Sequence, residues 1–187
     1  SYGYKFRTSY VTETDPLTYE YQDISATGEN LTALIKDDTY YTLDMGFEFP
    51  YYSDKMSTIY IAQKGFTTFD NSVRPINVPS FPGNQWSPKG IISLLGTYLS
   101  YIAQGDILYQ KEADRVIIQY NNVSDGWNPG SLTAQMVLYS NGNIRFFYEN
   151  LDWPTDNLQY LNIFIEDLAY SDGILIHRYN NPTELYN

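Results

Sequence analysis

Thr133-Ala134-Gln135-Met136-Val137-Leu138-Tyr139, followed by Asn141-Gly142 and Ile144-Arg145-Phe146-Phe147-Tyr148, decides the fold class. In the first run Ala134, Met136 and Leu138 share one face, and Thr133, Gln135, Val137 and Tyr139 share the other. That period of two is the pattern of a half-buried strand. Asn-Gly between two alternating runs predicts a two-residue hairpin loop, because both residues tolerate positive φ.

The same alternation continues on both sides. Ile107 to Gln110, the polar stretch Lys111 to Asp114 and Arg115 to Tyr120 predict a second hairpin with a four-residue loop. Leu161, Ile163 and Ile165 alternate with Asn162, Phe164 and Glu166, and Asp172-Gly173 leads into Ile174 to Tyr179. Upstream, Tyr41, Leu43, Met45 and Phe47 share a face. Tyr19 to Ile24, Ile59 to Ala62, Phe66 to Phe69 and Gly90 to Leu95 bring the expectation to about eleven short strands. Regular spacing of this kind predicts one all-β domain over residues 1–187, a single antiparallel β-sandwich of jelly-roll-like form. Gly90, Gly96 and the β-branched pair Ile91-Ile92 limit residues 90–103 to a turn or two of helix at most. Residues 71–89 hold Pro75, Pro79, Pro82 and Pro88 with Gly83 and Trp86, and read as one long surface loop within the domain.

Composition narrows the function. The chain carries 22 Asp and Glu against 11 Lys and Arg, a net charge of −11, which repels nucleic acid and anionic membrane surfaces. It has no cysteine, and so no disulfide, thiol catalysis or thiolate metal site. No apolar run is long enough for a membrane-spanning helix, so membrane insertion is not expected. The first residue is Ser1, without an initiator Met or signal peptide, as in a mature or trimmed chain. Twenty tyrosines suit half-buried strands, or alternatively a sugar-stacking surface.

Catalytic chemistry finds little to use. His177 is the sole imidazole, no Gly-x-Ser-x-Gly elbow occurs, and one His without Cys cannot build a usual zinc site. Glu20, Glu48, Glu149 and Glu166 lie in or near strands, but no spacing marks an acid/base pair. The expectation is a protein that is not an enzyme and has no cofactor. Calcium is the alternative to that absence: Asp37-Asp38, Asp152 with Asp156, and Asp167 with Asp172 offer hard oxygens in loops. Turn formation by Asp competes with it. Asn30-Leu31-Thr32 and Asn122-Val123-Ser124 are sequons, making Asn30 and Asn122 candidate glycosylation sites.

The order of several segments resembles a β-sandwich module of large secreted and cell-surface bacterial and archaeal proteins. These are Met45-Gly46-Phe47-Glu48-Phe49-Pro50-Tyr51-Tyr52, Ile59-Tyr60-Ile61-Ala62-Gln63-Lys64-Gly65-Phe66, Asp114 to Val123, Leu138 to Phe146 and Asp172 to Pro182. The Phe-Pro-Tyr and Ile-Tyr-x-x-x-x-Gly-Phe stretches are also similar to the start of nidogen-type extracellular domains. The resemblance implies an extracellular or cell-surface, non-catalytic module for adhesion, assembly or carrying a neighbour, and it transfers no catalytic residue.

Two functions follow as expectations. The first is a structural or adhesive module, a subunit of a surface filament or layer or part of a large surface protein, with protein partners or self-assembly. There residues 1–11, with Tyr2, Tyr4 and Phe6 on one side, form a mobile or exchanged terminal strand. The second is a carbohydrate-binding module whose glycan would stack on Trp86, Trp127 or Trp153.

Overall fold

Eleven strands form two antiparallel sheets in a computed structural model that describes residues 4–8, 17–36, 38–76, 79, 81–83, 86–97, 99, 102–124, 130–152 and 161–177. The strands are β1 (Glu29–Asn30), β2 (Tyr40–Tyr51), β3 (Asp54–Ala62), β4 (Phe66–Thr68), β5 (Ile91–Ser93) and β6 (Gln104–Lys111). Then follow β7 (Arg115–Ser124), β8 (Ser131–Tyr139), β9 (Ile144–Asp152), β10 (Ile163–Glu166) and β11 (Gly173–His177). One sheet has the order β1-β6-β7-β8-β9 and the other β11-β10-β5-β4-β3-β2. The expected all-β sandwich is present, and no helix occurs among the described residues. The connectivity is simpler than a jelly roll. Strands β2 to β5 and β6 to β9 form two meanders, each staying within one sheet instead of wrapping between two.

The alternation seen in the sequence sorts residues between layers. Ala134, Met136 and Leu138 on β8 face Leu43, Ile59, Ile61 and Ile92 in the central core. Each fully buried Leu, Ile or Met side chain contributes about 1.5–3 kcal/mol relative to exposure. Part of the tyrosine excess ties the layers together. Tyr120 on β7 donates its hydroxyl to the Ala62 carbonyl at 2.6 Å, and Tyr148 on β9 donates to Leu94 at 2.8 Å. Buried phenols need such partners, and the carbonyls they reach lie on the opposite side of the core.

Three local expectations change. The β8–β9 loop has three residues, Ser140 to Gly142, instead of two. The Gly142 N–H donates to Tyr139 O at 2.8 Å and the Tyr139 N–H to Asn143 O at 3.0 Å. Gly142 alone in this turn has positive φ, +90°, so it forms the left-handed step after an ordinary turn. The β6–β7 loop is tighter than four residues, because the Glu112 N–H donates to Arg115 O at 2.8 Å and leaves only Ala113 and Asp114 between them.

The third change concerns Tyr19 to Ile24, which is not a strand. This stretch is a strap across the outer face of the five-stranded sheet, and β1 is the short Glu29–Asn30 step that follows it. Ile24 packs on Leu108, Ile117, Val137 and Phe147, the apolar residues of that outer face. Two glutamines with no exposed surface hold the strap's backbone. Gln119 Oε1 accepts the Ile24 N–H at 3.1 Å, and Gln135 Nε2 donates to Gln22 O at 2.7 Å and to Gln119 Oε1 at 2.9 Å.

Candidate functional site

The Pro-rich segment 71–89 does for the six-stranded sheet what the strap does for the other. Beneath it Ala62, Phe66, Ile91 and Phe164 form an apolar cluster on the sheet's outer face, with Tyr40, Phe81 and Leu175 at its margin. Without a cover these rings would face water. The segment's prolines limit its backbone freedom, and Pro75, Pro79 and Pro88 are buried.

Polar anchors fix the cover at both ends and in the middle. Tyr40 Oη donates to Val73 O at 2.9 Å, and the Phe81 ring rests 5.5 Å from that of Phe164. The Gly83 N–H donates to Glu166 Oε1 at 2.7 Å. Tyr170 donates its hydroxyl to Ser87 O, and Thr68 donates to Lys89 O. Lys89 Nζ lies 5.9 Å from the centroid of the Tyr170 ring.

Glu166 is 1% exposed, and burial pushes its carboxyl above the usual carboxylate range. The Gly83 N–H opposes that rise and the charge of Asp167 adds to it. Its neighbour behaves differently. Burial alone would raise Asp167, but hydrogen bonds from Ser171, Asp172 and Ala169 outweigh it and hold the carboxyl low. Asp167 is thus consumed in ordering the β10–β11 turn.

What this cover presents outward is the candidate site. Trp86 is 73% exposed and Ile76 55%, and both flank buried prolines from which Arg74 and Lys89 also project. The sequence held an unread signal here: residues 71–105 contain no Asp or Glu, and Arg74 and Lys89 are their only charges. Ile76, Arg74, Lys89 and the anchoring part of Glu166 were all missed by motif reading.

The other sequence candidates fall in different places. Trp127, Trp153, Asp37, Asp156 and Tyr2 lie outside the described residues. Asp38, at φ +66°, has Lys64 Nζ 4.0 Å from its carboxylate, while Asp152 is exposed at the end of β9. Among the described residues no group of three or more His, Asp or Glu is placed to hold a metal ion. Tyr4 packs against Tyr51 and Tyr52 and donates to Pro50 O at 3.1 Å, while Phe6 is 52% exposed. Asn30 and Asn122 are both exposed. Asn30 Nδ2 donates to Asp106 at 2.6 Å, and Asn122 Oδ1 accepts from Ser131 at 2.6 Å.

The carboxylates weighed for catalysis are engaged separately. Glu20 pairs with Arg145, Glu48 with Lys55 at 2.9 Å, and Glu149 accepts from Tyr19 at 2.9 Å. His177 is 1% exposed at the end of β11.

No curated protein and no solved structure matches the chain. A family model described as NIDO related matches residues 9–183, which takes in both sheets, the strap and the Pro-rich cover. The chain therefore belongs to the NIDO-related family.

Proposed function

We propose that this chain is a non-catalytic extracellular module that works by protein contact, as a structural or adhesive part of a cell surface. The NIDO-related match supports an extracellular module. The observation that carries the contact role is Trp86, 73% exposed on a segment pinned to the sheet through Gly83, Ser87 and Lys89. A large aromatic held outward on an anchored scaffold can bind without first ordering a loop, which spares the entropy that a free loop would lose. The net charge of −11 points away from nucleic acid as the partner.

The test is display of the full chain on the surface of a non-adherent cell. Cell–cell clumping, or attachment to a protein-coated support, is expected and should fall with Trp86→Ala. Display with no clumping and no attachment sinks the reading, as does substrate turnover that vanishes on replacing one carboxylate. Exposure of Trp86 also favours a second reading, a carbohydrate site in which the indole stacks on a pyranose. A glycan array separates the two, since this second reading requires binding that Trp86→Ala removes.

A further inference from the structure

We propose that the outward surface of the Pro-rich cover is a docking site for the acidic surface of a second copy of this chain. This rests on the contact-module reading and names its partner. Every one of the 22 carboxylates and nine of the eleven bases lie outside residues 71–105, which keep only Arg74 and Lys89. An acidic protein thus carries one continuous stretch of sequence free of acids, and its first part, the Pro-rich segment, lies against the apolar cluster of the six-stranded sheet through Phe81.

The side chains repeat a simple unit. Around buried Pro75, Arg74 and Ile76 are exposed; around buried Ser87 and Pro88, Trp86 and Lys89 are exposed. Each unit offers one apolar contact and one cation, the pairing that anchors and orients an interface. The complementary surface is on the same molecule, where Asp44, Asp54 and Asp114 are exposed near the meeting of β2 with the β6–β7 and β8–β9 turns. Like-charge repulsion between whole copies is screened over about 8 Å at physiological salt, while contacts between the basic units and facing acids act inside that distance. Because the two complementary surfaces differ, the contact is head-to-tail, and repetition would grow an open chain of copies or, where the rotation closes, a ring.

Sedimentation of the full chain over a wide concentration range tests this, with circular dichroism to confirm folding. Wild type should self-associate. Trp86→Ala and the double change Arg74→Glu with Lys89→Glu should each weaken association on the order of tenfold or more, as expected for losing a central anchor or reversing charge. An excess of the charge-reversed chain should shorten wild-type oligomers, since it keeps the acidic surface and caps growth.

Wild type that stays monomeric throughout overturns the proposal, as does association untouched by both variants or a charge-reversed chain that does not cap. Binding of polygalacturonate to this surface by a monomeric chain also overturns it, in favour of an acidic glycan. If displayed cells still attach to other proteins in any of these cases, the contact-module reading stands and only the second copy as partner is lost.

Discussion

Gly83 donates its backbone N–H to a carboxylate oxygen of Glu166 at 2.7 Å, across 83 residues of sequence. This joins the middle of the Pro-rich cover to the last residue of β10. The approach is close enough that a Cβ on Gly83 would lie 2.6 Å from the other carboxylate oxygen and 2.6 Å from the Tyr170 ring. Position 83 therefore needs glycine for space.

Gly83→Ala should destabilise the fold by about 1–3 kcal/mol, the usual cost of forcing atoms into a packed contact. The Tyr170 ring and the Glu166 carboxyl would have to move, lifting the cover from Phe164. Urea unfolding, with hydrogen exchange over residues 81–91, checks this. A variant of unchanged stability would show that the contact is not close-packed in solution.

Glu166 should make stability depend on pH in a direction opposite to most carboxylates. Its folded value lies above its ordinary 4.5, through burial first and the Asp167 charge as well, so the native state holds the proton more tightly than the unfolded chain. Its contribution is then full below about 4.5 and is lost as pH rises through the folded value. Asp167, Asp172 and Tyr52 lie at the same end of the sandwich, and the two aspartates remain in both proteins compared. Unfolding free energy of wild type relative to Glu166→Gln should fall from pH 4 to pH 8. Parallel curves would contradict the assignment.

The β8–β9 turn shows how far local sequence reaches. Asn141-Gly142 correctly marks the reversal, yet Asn141 has negative φ and accepts the Asn143 N–H on its side chain at 3.0 Å. The glycine alone carries the left-handed step. Gly142→Ala should therefore cost about 1 kcal/mol or more in urea unfolding. Asn141→Ala, which loses one exposed hydrogen bond, should cost about half that. Equal effects would restore the two-residue loop.

Strand periodicity was legible because each strand alternates between core and outside, as Ala134, Met136 and Leu138 do. What covers each outer face was not. Gln119 and Gln135 look like solvated positions in a period-two pattern, yet both are fully buried under a strap more than ninety residues away in sequence. Ile117 and Val137 were the available clue, since apolar residues on the supposedly wet face imply a cover. The Pro-rich segment was visible as a loop, but its docking depends on Phe81, Gly83 and Ser87 meeting β10 and the β10–β11 turn. No local pattern encodes those meetings.

Tyr4 provides a test of what the terminal segment does. Its ring contacts Tyr51 and Tyr52 at 5.9 and 5.1 Å between centroids, and burial raises its hydroxyl well above the usual phenol range. Tyr4→Ala should lower stability by about 1–3 kcal/mol through lost aromatic packing and the Pro50 hydrogen bond. Self-association should be unchanged in sedimentation. Loss of association with the fold intact would instead support terminal strand exchange through Tyr2, Tyr4 and Phe6.

The strap on the opposite sheet is tied down in part by one buried amide. Gln119 accepts from the Ile24 backbone and from Gln135, and donates to Asp23 Oδ1 at 2.9 Å. That last bond is the first cause holding the Asp23 carboxyl below its usual range. Gln119→Ala leaves the buried Ile24 N–H without its acceptor and should cost about 1–3 kcal/mol. Gln119→Glu is the sharper change, because it keeps the acceptor for Ile24 but replaces the donor facing Asp23 with a second carboxylate. Repulsion between the two acids appears when both are ionised and is relieved when one takes a proton, so this variant should hold its strap better near pH 4 than at pH 7. Limited proteolysis reads this directly: cleavage within residues 17–28 should be faster than wild type at neutral pH and approach it in acid, using a protease active at both. A strap equally protected in Gln119→Glu and wild type at pH 7 would mean that the Ile24 hydrophobic contact alone holds it down.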